Sequence, residues 1–296
     1  MTADGAMLRE TAAGAALSYG PVRMDIRAWR GGAAQPALCR RCCEEAALEF
    51  DRLAPYMGRL REMRAFAAPD PAYPSVLNKM IAAVSAADAG GLNTLAAVAG
   101  AFSEFALERA AAGGADRVVV DNGGDLAILA GDGWPVRVSI PLAGGAEGFL
   151  AVGAGAGADG IRGVCTSGFG GRSFTKGVAD AVTVFARSAS LADACATAVA
   201  NEVTVDGPTV LRCRAEEIDS GTDIPGQLVT LRVGALSRAQ RLRAAARGAG
   251  AAQALLGRGV ILGALIRVGD VVVRVPDGLP VFVGGQGKGG LRCATC

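Results

Sequence analysis

Residues 163–201 read GVCTSGFGGRSFTKGVADAVTVFARSASLADACATAVAN. This run holds two glycine-rich turns, several hydroxyl side chains, an arginine, and an aspartate followed one helical turn later by a threonine. A shorter segment upstream, VVVDNGGD at residues 118–125, adds another glycine turn flanked by acids. Because backbone N–H groups in such turns bind anions, the two segments together predict a nucleotide-phosphate pocket with an adjoining cation site.

The first candidate phosphate loop is TSGFGGRS at residues 166–173. Its glycines leave backbone N–H groups accessible, and the guanidinium of Arg172 is suited to bidentate binding of phosphate oxygens. The loop therefore contributes four predicted cofactor-binding residues: Thr166, Ser167, Gly168 and Arg172. A flexible surface loop in a glycine-rich chain explains the same composition, so both interpretations stay open.

The second candidate loop is DNGGD at residues 121–125, between two strand-like stretches. Asn-Gly is typical of a two-residue hairpin, because a type I′ turn needs positive φ angles at both central residues. The alternative is a ligand that approaches the bare backbone closely, which a side chain would obstruct. Under that alternative Gly123, Gly124 and Asp125 bind the cofactor.

Ser190 opens an alanine-rich helix and Asp193 follows three positions later, which is the pattern of a capping box with Ser190 as N-cap. Asp193, Thr197 and Asn201 are also spaced four apart, so they share one face of that helix. A carboxylate and a hydroxyl one turn apart are hard oxygen donors suited to Mg²⁺. The spacing thus predicts either a cap or a metal site at Asp193 and Thr197.

Asp180 lies in a stretch, residues 178–187, whose valines predict a strand. We expect its carboxylate on the apolar face of that strand, where an unpartnered acid is costly. It therefore either bonds to backbone N–H groups or to Arg172, or serves as the catalytic acid–base group. Glycine-rich loops nearby favour the catalytic role.

Composition excludes several classes of chemistry. The chain has 296 residues, a formal net charge of +2 and no histidine, which excludes Ser-His-Asp and Cys-His catalysis. The small net charge argues against nucleic acid or a membrane as a partner. The sequence shows no secretory signal and no apolar run of about eighteen residues, so we expect a cytoplasmic protein with reduced cysteines.

The order of the elements predicts an α+β fold. Pro36 and Pro74 each open a helical stretch, another helix follows from about residue 93, and short alternating strands begin near residue 117. Helices first and an antiparallel meander afterwards favour helices packed on sheets. We treat residues 1–283 as one domain or two tightly packed lobes, and residues 284–296 as a glycine-rich tail.

Two CxxC pairs, Cys39–Cys42 and Cys293–Cys296, allow further chemistry. The two pairs would build a zinc site if the termini meet. Alternatively, the terminal pair acts as a redox-active or persulfide-carrying dithiol. The simplest interpretation is incidental thiols on an apolar helix face and in the tail.

TSG at residues 166–168 and ADACATA at residues 192–198, with VDNGGD upstream, resemble the ApbE superfamily. That superfamily includes FAD-dependent flavin transferases, which attach FMN to a threonine or serine of target proteins. The run GVADAVTVFA at residues 177–186 is similar to its uncharacterised ApbE-like branch. The resemblance implies helices packed on mixed, mainly antiparallel sheets, with FAD or FMN and Mg²⁺ as cofactors.

By the same resemblance, Asp193 and Thr197 hold Mg²⁺, and Gly123, Gly124 and Asp125 lie by the FAD nucleotide. Two departures from the flavin transferases bear on activity. Their lysine-glycine motif is replaced by VAGA at residues 98–101, and their histidine has no counterpart. We therefore expect the pocket to survive while transfer to a protein threonine is absent or very slow, with Asp180 as the candidate base.

Archaeal members of this branch are associated with sulfur assimilation into homocysteine. That association gives the alternative function, an accessory protein of sulfur metabolism that uses its cysteine thiols. For the main interpretation, the partner is a small-molecule nucleotide cofactor. An unpaired antiparallel sheet edge also allows a homodimer.

Overall fold

A computed structural model of the chain describes residues 7–20, 22–63, 65–87, 91–130, 135–141, 147–152, 160–171 and 173–283. The helices within these ranges are α1 (Pro36–Leu53), α2 (Met57–Leu60), α3 (Ser75–Ala87), α4 (Val98–Ala112), α5 (Ala189–Glu202), α6 (Ala215–Ile218) and α7 (Arg238–Gly257). Short 3-10 helices precede α2 at Ala54–Tyr56 and α4 at Thr94–Ala97. None of the described helices combines the length and apolar character that a bilayer crossing needs.

The strands alternate with these helices along the chain. In the first half they are β1 (Met7–Thr11), β2 (Gly14–Tyr19), β3 (Val22–Arg30), β4 (Ala33–Ala34), β5 (Arg117–Asn122), β6 (Asp125–Leu129), β7 (Val136–Pro141) and β8 (Glu147–Val152). In the second half they are β9 (Gly163–Ser167), β10 (Ala181–Ala186), β11 (Val210–Arg214), β12 (Leu228–Val233), β13 (Gly263–Val268), β14 (Val271–Val275) and β15 (Phe282–Val283).

Within the described ranges, ten strands form one antiparallel sheet in the order β1-β2-β3-β5-β6-β9-β10-β13-β14, with β4 paired to β3. The strand order departs from the chain order at β6, which pairs with β9, and at β10, which pairs with β13. These crossovers place the start of β6 beside the end of β9. The N–H of Thr166 in β9 donates to Oδ1 of Asp125 in β6 at 3.3 Å, so the two glycine-rich segments predicted from sequence lie side by side in the middle of the sheet.

The large sheet is covered on both faces. Helices α1, α4, α5 and α7 pack on one face and bury the main apolar core. On the other face, the small sheet β15-β8-β7 packs on a second apolar cluster that includes Ile128, Phe185 and Leu150. The result is helices packed on an antiparallel sheet, which confirms the α+β prediction.

Local signals explain most element boundaries. Pro36 occupies the first turn of α1, and the backbone turns into a 3-10 helix at Pro55. Ser237 caps α7 in a full capping box with Gln240. By contrast, the sequence does not predict the hairpin of β1 and β2, because β1 is almost entirely exposed and shows no alternation.

Candidate functional site

Helix α5 presents the polar face that the sequence predicts. Asp193, Thr197 and Asn201 are all half-buried and line the same cleft, as expected from their four-residue spacing. The predicted N-cap is wrong, however. Ser188 is the N-cap and accepts a hydrogen bond from the backbone N–H of Leu191, so Ser190 lies inside the helix.

Asp193 takes part in capping a different helix from its own. Its Oδ2 accepts the backbone N–H of Gly100, in the first turn of α4, at 2.9 Å. The carboxylate thus lies at the positive end of the α4 dipole, where an anion is favoured. The capping box predicted on the helix of Asp193 is therefore wrong, and the side chain instead contacts the start of α4 and lines the cleft.

The reverse contact also exists, from α4 to the start of α5. Oε2 of Glu104 accepts the hydroxyl of Ser190 at 2.6 Å and its backbone N–H at 3.1 Å. Lys79 from α3 donates to Glu104 at 2.9 Å and to Glu108 at 2.6 Å. A carboxylate of each helix therefore accepts hydrogen bonds at the N-terminus of the other helix. These two contacts fix the position of Asp193.

The contact between α4 and Asp193 requires a glycine at position 100. A Cβ built at Gly100 would lie 2.2 Å from the carbonyl oxygen of Ala189 and 2.8 Å from the Cβ of Asp193. Both distances are far below van der Waals contact, and the first involves the backbone. The glycine of the VAGA segment thus allows α4 and α5 to approach closely, and the amide of Gly100 reaches Asp193.

The DNGGD segment is the β5–β6 hairpin. Gly123 and Gly124 have φ angles of 70° and 103°, and the N–H of Gly124 donates to Oδ1 of Asp121 at 2.7 Å. The hairpin interpretation is therefore confirmed. Neither glycine lines the cleft, whereas Asp125, the first residue of β6, does.

Asp125 is held at the cleft from several sides. Its carbonyl accepts the hydroxyl of Ser103 at 2.8 Å, and its Oδ1 accepts the N–H of Thr166 at 3.3 Å. Burial and the charge of Asp125 together raise the pKa of Asp193 well above its ordinary value. The two carboxylates therefore interact electrostatically across the cleft.

Three backbone N–H groups of the TSGFGGRS loop donate hydrogen bonds to carbonyl groups of the protein itself. The N–H groups of Phe169 and Gly170 donate to the carbonyls of Ala179 and Asp180 at 2.7 and 3.2 Å, and that of Gly171 donates to Gly168. The prediction that these amides form an anion nest is therefore wrong for these three. The hydroxyl of Thr166 bonds to that of Thr183 at 2.8 Å.

Thr166 to Gly168 do not line the cleft with Asp193, although Thr166 contacts Asp125. Ser167 pairs with Val182 in the sheet, and Gly168 has a φ of 144° beside the backbone of Asp180. Arg172 lies outside the described residues.

Asp180 lies just before β10 and outside the set of cleft-lining residues. Its Oδ2 accepts the N–H of Gly269, in the turn between β13 and β14, at 2.5 Å. Of the alternatives for this acid, the bond to a backbone N–H is the one observed. The carboxylate thus holds the turn between β13 and β14.

The cleft also contains residues that the sequence patterns do not reveal. Beside the α5 face and Asp125, it is lined by residues 91–99 except Thr94 and Ala97, by Ser173, Phe174 and Lys176, and by Asp223, Ile224 and Gln227. Three loops distant in sequence supply these side chains, and no local motif connects them. The one available signal was the rarity of lysine, since Lys176 is one of only three in the chain.

The cysteines do not form a second site in the described ranges. Burial raises the pKa of Cys39 to about 11 and that of Cys42 to about 12, and both thiols pack in the core on α1. The terminal pair Cys293 and Cys296 lies outside the described residues. The simplest interpretation holds for the α1 thiols, and they lend the sulfur-metabolism alternative no support.

The cleft carries oxygen donors for a cation. In the described ranges, no group of three or more His, Cys, Asp or Glu side chains is arranged to hold a metal ion. Two carboxylates and a hydroxyl are nevertheless enough for Mg²⁺, which commonly binds one or two carboxylates and completes its shell with water and ligand phosphates. The donor set of Asp125, Asp193 and Thr197 fits this pattern.

A family model described as AbpE bacteria matches residues 6–277. The chain belongs to this family. The ApbE-like superfamily is thereby established, and the resemblance drawn from TSG, ADACATA and VDNGGD is confirmed.

Archaeal sequences are also similar. The UPF0280 protein of Methanopyrus kandleri is 41% identical over 149 residues, covering 49% of this chain and 56% of the relative. The UPF0280 protein of Methanospirillum hungatei is 38% identical over 156 residues, covering 51% and 58%. The aligned part of the chain thus spans little more than half the length of these relatives.

Solved structures share the fold at low sequence identity. The apo form of the Pseudomonas stutzeri flavinyl transferase ApbE matches with a TM-score of 0.52 and 16% identity, over 91% of this chain and 94% of that one. The flavin transferase ApbE from Vibrio cholerae matches with a TM-score of 0.51 and 12% identity, over 91% and 96%. These matches show an ApbE-like fold.

Proposed function

We propose that the cleft binds a flavin nucleotide, FAD or FMN, together with Mg²⁺. The observation that carries this proposal is the pair of carboxylates, Asp125 and Asp193, that face one cleft in an ApbE-like fold. The structural relatives are flavin transferases, which makes a flavin nucleotide the first ligand to test. The turn of Gly123 and Gly124 supports the cleft because it leads into β6, which begins at Asp125. The segment from Thr166 to Gly168 supports it through the contact between Thr166 and Asp125.

Electrostatics favours a cation at this place. Burial and Asp125 disfavour the ionised form of Asp193, and the groups that oppose this are the backbone N–H groups of Ala99 and Gly100. The two backbone N–H groups carry no formal charge. They therefore offset only part of the electrostatic repulsion between the two neighbouring carboxylates. A divalent cation supplies the positive charge, and Thr197 adds a neutral oxygen one turn along α5.

Each protein group has a distinct role in this proposal. Asp193 and Thr197, with Asp125, would hold Mg²⁺, whose contribution when bound is to neutralise the phosphate charge of the nucleotide. Gly100 orients Asp193 through its backbone N–H. Residues from the segments 91–99 and 223–227 also line the cleft and would contact the rest of the nucleotide.

We further propose that transfer of FMN to a protein threonine is absent or very slow. That reaction needs a base near the acceptor hydroxyl. The chain contains no histidine, and the carboxylate of Asp180 accepts the N–H of Gly269 outside the cleft. The cleft would then bind the nucleotide without the family's histidine and without Asp180 as a base.

FAD titration followed by flavin fluorescence tests the binding proposal. We expect saturable binding with Mg²⁺ present and much weaker binding after EDTA treatment, because the cation links the carboxylates to the phosphates. Failure of both FAD and FMN to bind with Mg²⁺ would refute it. Incubation with FAD, Mg²⁺ and an acceptor domain, followed by mass spectrometry, tests transfer, and rapid formation of an adduct contradicts the second part.

The stabilisation by Mg²⁺ is expected to depend on pH. The pKa of Asp193 in the folded protein lies well above its ordinary 3.8. As the pH rises, the carboxyl group of the unfolded chain therefore loses its proton at a lower pH than that of the folded protein. Stability without metal therefore falls from pH 3.8 upward towards the raised pKa. Mg²⁺ binds the ionised folded form, so it should raise Tm more at about pH 8 than at about pH 5.

Differential scanning fluorimetry across that range measures the effect. An equal rise in Tm at both pH values contradicts the placement of the cation at Asp193.

A further inference from the structure

Another cavity lies among the helices and shares no lining residue with the α5 cleft. Its volume is about 490 Å³, which is within the range of small-molecule sites. Its walls come from α1, the 3-10 helix after α1, the loop before α3, and α4. The lining residues that decide its chemistry are Glu49, Arg52, Tyr56, Tyr73, Phe105 and Arg109.

Aromatic rings form the apolar wall of this cavity. Tyr56 and Tyr73 pack edge to face with their ring centroids 5.5 Å apart, and Phe66 packs against both, at 6.4 and 5.6 Å. These mutual contacts hold the two tyrosine rings in place, and Phe105 adds a further ring from α4. Because ring–ring contacts stabilise beyond the burial of their area, a flat aromatic ligand gains more here than a saturated one.

Arg109 supplies a positive charge beside the aromatic wall. Its guanidinium lies over the ring of Phe105, with Cζ 4.8 Å from the centroid, and this contact orients it. In the described part of the chain its ion pair is with Glu45, at 3.6 Å between Nε and Oε2, and both side chains are about half-exposed. That distance is too long for a hydrogen bond, so the guanidinium keeps N–H donors for a carboxylate.

The buried acid of the cavity already has its partners. Oε1 of Glu49 accepts the N–H of Val76, in the first turn of α3, at 3.1 Å, and Oε2 accepts Nη1 of Arg52 at 3.0 Å. The charge of Glu49 is therefore balanced by Arg52 and by the positive end of the α3 dipole. Two arginines and one glutamate leave the cavity with a net charge of +1, which favours an anion.

We propose that this cavity binds a small aromatic carboxylate. The carboxylate accepts hydrogen bonds from the guanidinium of Arg109, and the ring packs against Tyr56, Tyr73 and Phe105. The site is distinct from the α5 cleft, so a flavin nucleotide and the aromatic acid bind independently of each other's contacts.

The test uses 2-naphthoate as the probe, with the neutral isostere 2-naphthamide and the ring-free anion acetate as comparisons. Each is titrated, by saturation-transfer NMR, into the unmodified protein, Arg109→Gln, Arg109→Lys and the control Arg243→Gln. Arg243 is exposed on α7, and its loss removes the same charge away from the cavity. Circular dichroism and Tm confirm that each variant is folded.

We expect saturable binding of 2-naphthoate to the unmodified protein and to Arg243→Gln, at least about tenfold tighter than binding of 2-naphthamide or acetate. Arg109→Gln should lower the affinity for 2-naphthoate to that for 2-naphthamide. Arg109→Lys should recover part of it, because lysine keeps the charge and loses the planar fork.

FAD titration should be unchanged in Arg109→Gln, since Arg109 does not line the α5 cleft. Absence of saturable 2-naphthoate binding, equal binding of the two naphthyl probes, or unchanged 2-naphthoate binding in folded Arg109→Gln overturns the inference.

Discussion

Asp193→Asn is expected to abolish Mg²⁺-dependent FAD binding while leaving the unliganded protein at least as stable as the parent. The amide oxygen still accepts the N–H of Gly100, so the cap on α4 is kept. The substitution removes a carboxylate whose ionised form is disfavoured beside Asp125, so its loss costs no folding energy. Without that charge, a divalent cation loses a main ligand, and the affinity for FAD should fall by about a hundredfold or more.

Two further variants separate charge from structure. Asp70→Asn changes an exposed aspartate that also accepts a backbone N–H, that of Ala72 at 2.8 Å, and it should leave binding intact. Asp193→Ala leaves the Gly100 amide without its acceptor and should lower stability by about 1–3 kcal/mol. Isothermal titration with Mg²⁺ and FAD, alongside urea unfolding, measures both effects. Retained Mg²⁺ dependence in Asp193→Asn would exclude this residue as a metal ligand.

Gly100→Ala should be strongly destabilising, although it adds a single methyl group. The new Cβ would lie 2.2 Å from the carbonyl oxygen of Ala189, a backbone atom that cannot rotate away. Helices α4 and α5 must separate to admit it, which breaks the contact between Gly100 and Asp193. We expect a loss of about 3 kcal/mol in the free energy of unfolding, measured from urea midpoints.

The matched control is Gly250→Ala in α7. A Cβ at Gly250 meets no atom within 4 Å, so the higher helix propensity of alanine should stabilise this variant by up to about 1 kcal/mol. The same chemical change is therefore expected to act in opposite directions at two helical positions. A mild effect at Gly100 would contradict the close packing of α4 against α5.

The parts of the site that follow from local backbone geometry could be predicted from the sequence. Spacing alone placed Asp193, Thr197 and Asn201 on one face, because an α-helix repeats nearly every four residues. The Asn-Gly turn could also be predicted, because few residue types adopt the positive φ angles that such a turn requires. In these cases the interaction lies within about one helical turn or one hairpin.

The sequence could not show which partner each polar group takes from elsewhere in the chain. The amides of Phe169 and Gly170 bond to carbonyls about ten positions later, which removes the predicted anion nest. Asp180 is engaged by Gly269, and Lys176 reaches the cleft through a loop with no recognisable motif. These outcomes depend on how β9, β10 and β13 pair, which local patterns do not encode.

The double use of Asp193 affects how such proteins diverge over evolutionary time. Its Oδ2 holds the first turn of α4 in place, and its carboxylate also borders the cleft. Because an asparagine oxygen would also accept the N–H of Gly100, the packing of α4 against α5 requires Gly100 but does not require a carboxylate at position 193. A protein that no longer needed the charge in the cleft could therefore replace Asp193 with asparagine and still keep the contact between the two helices.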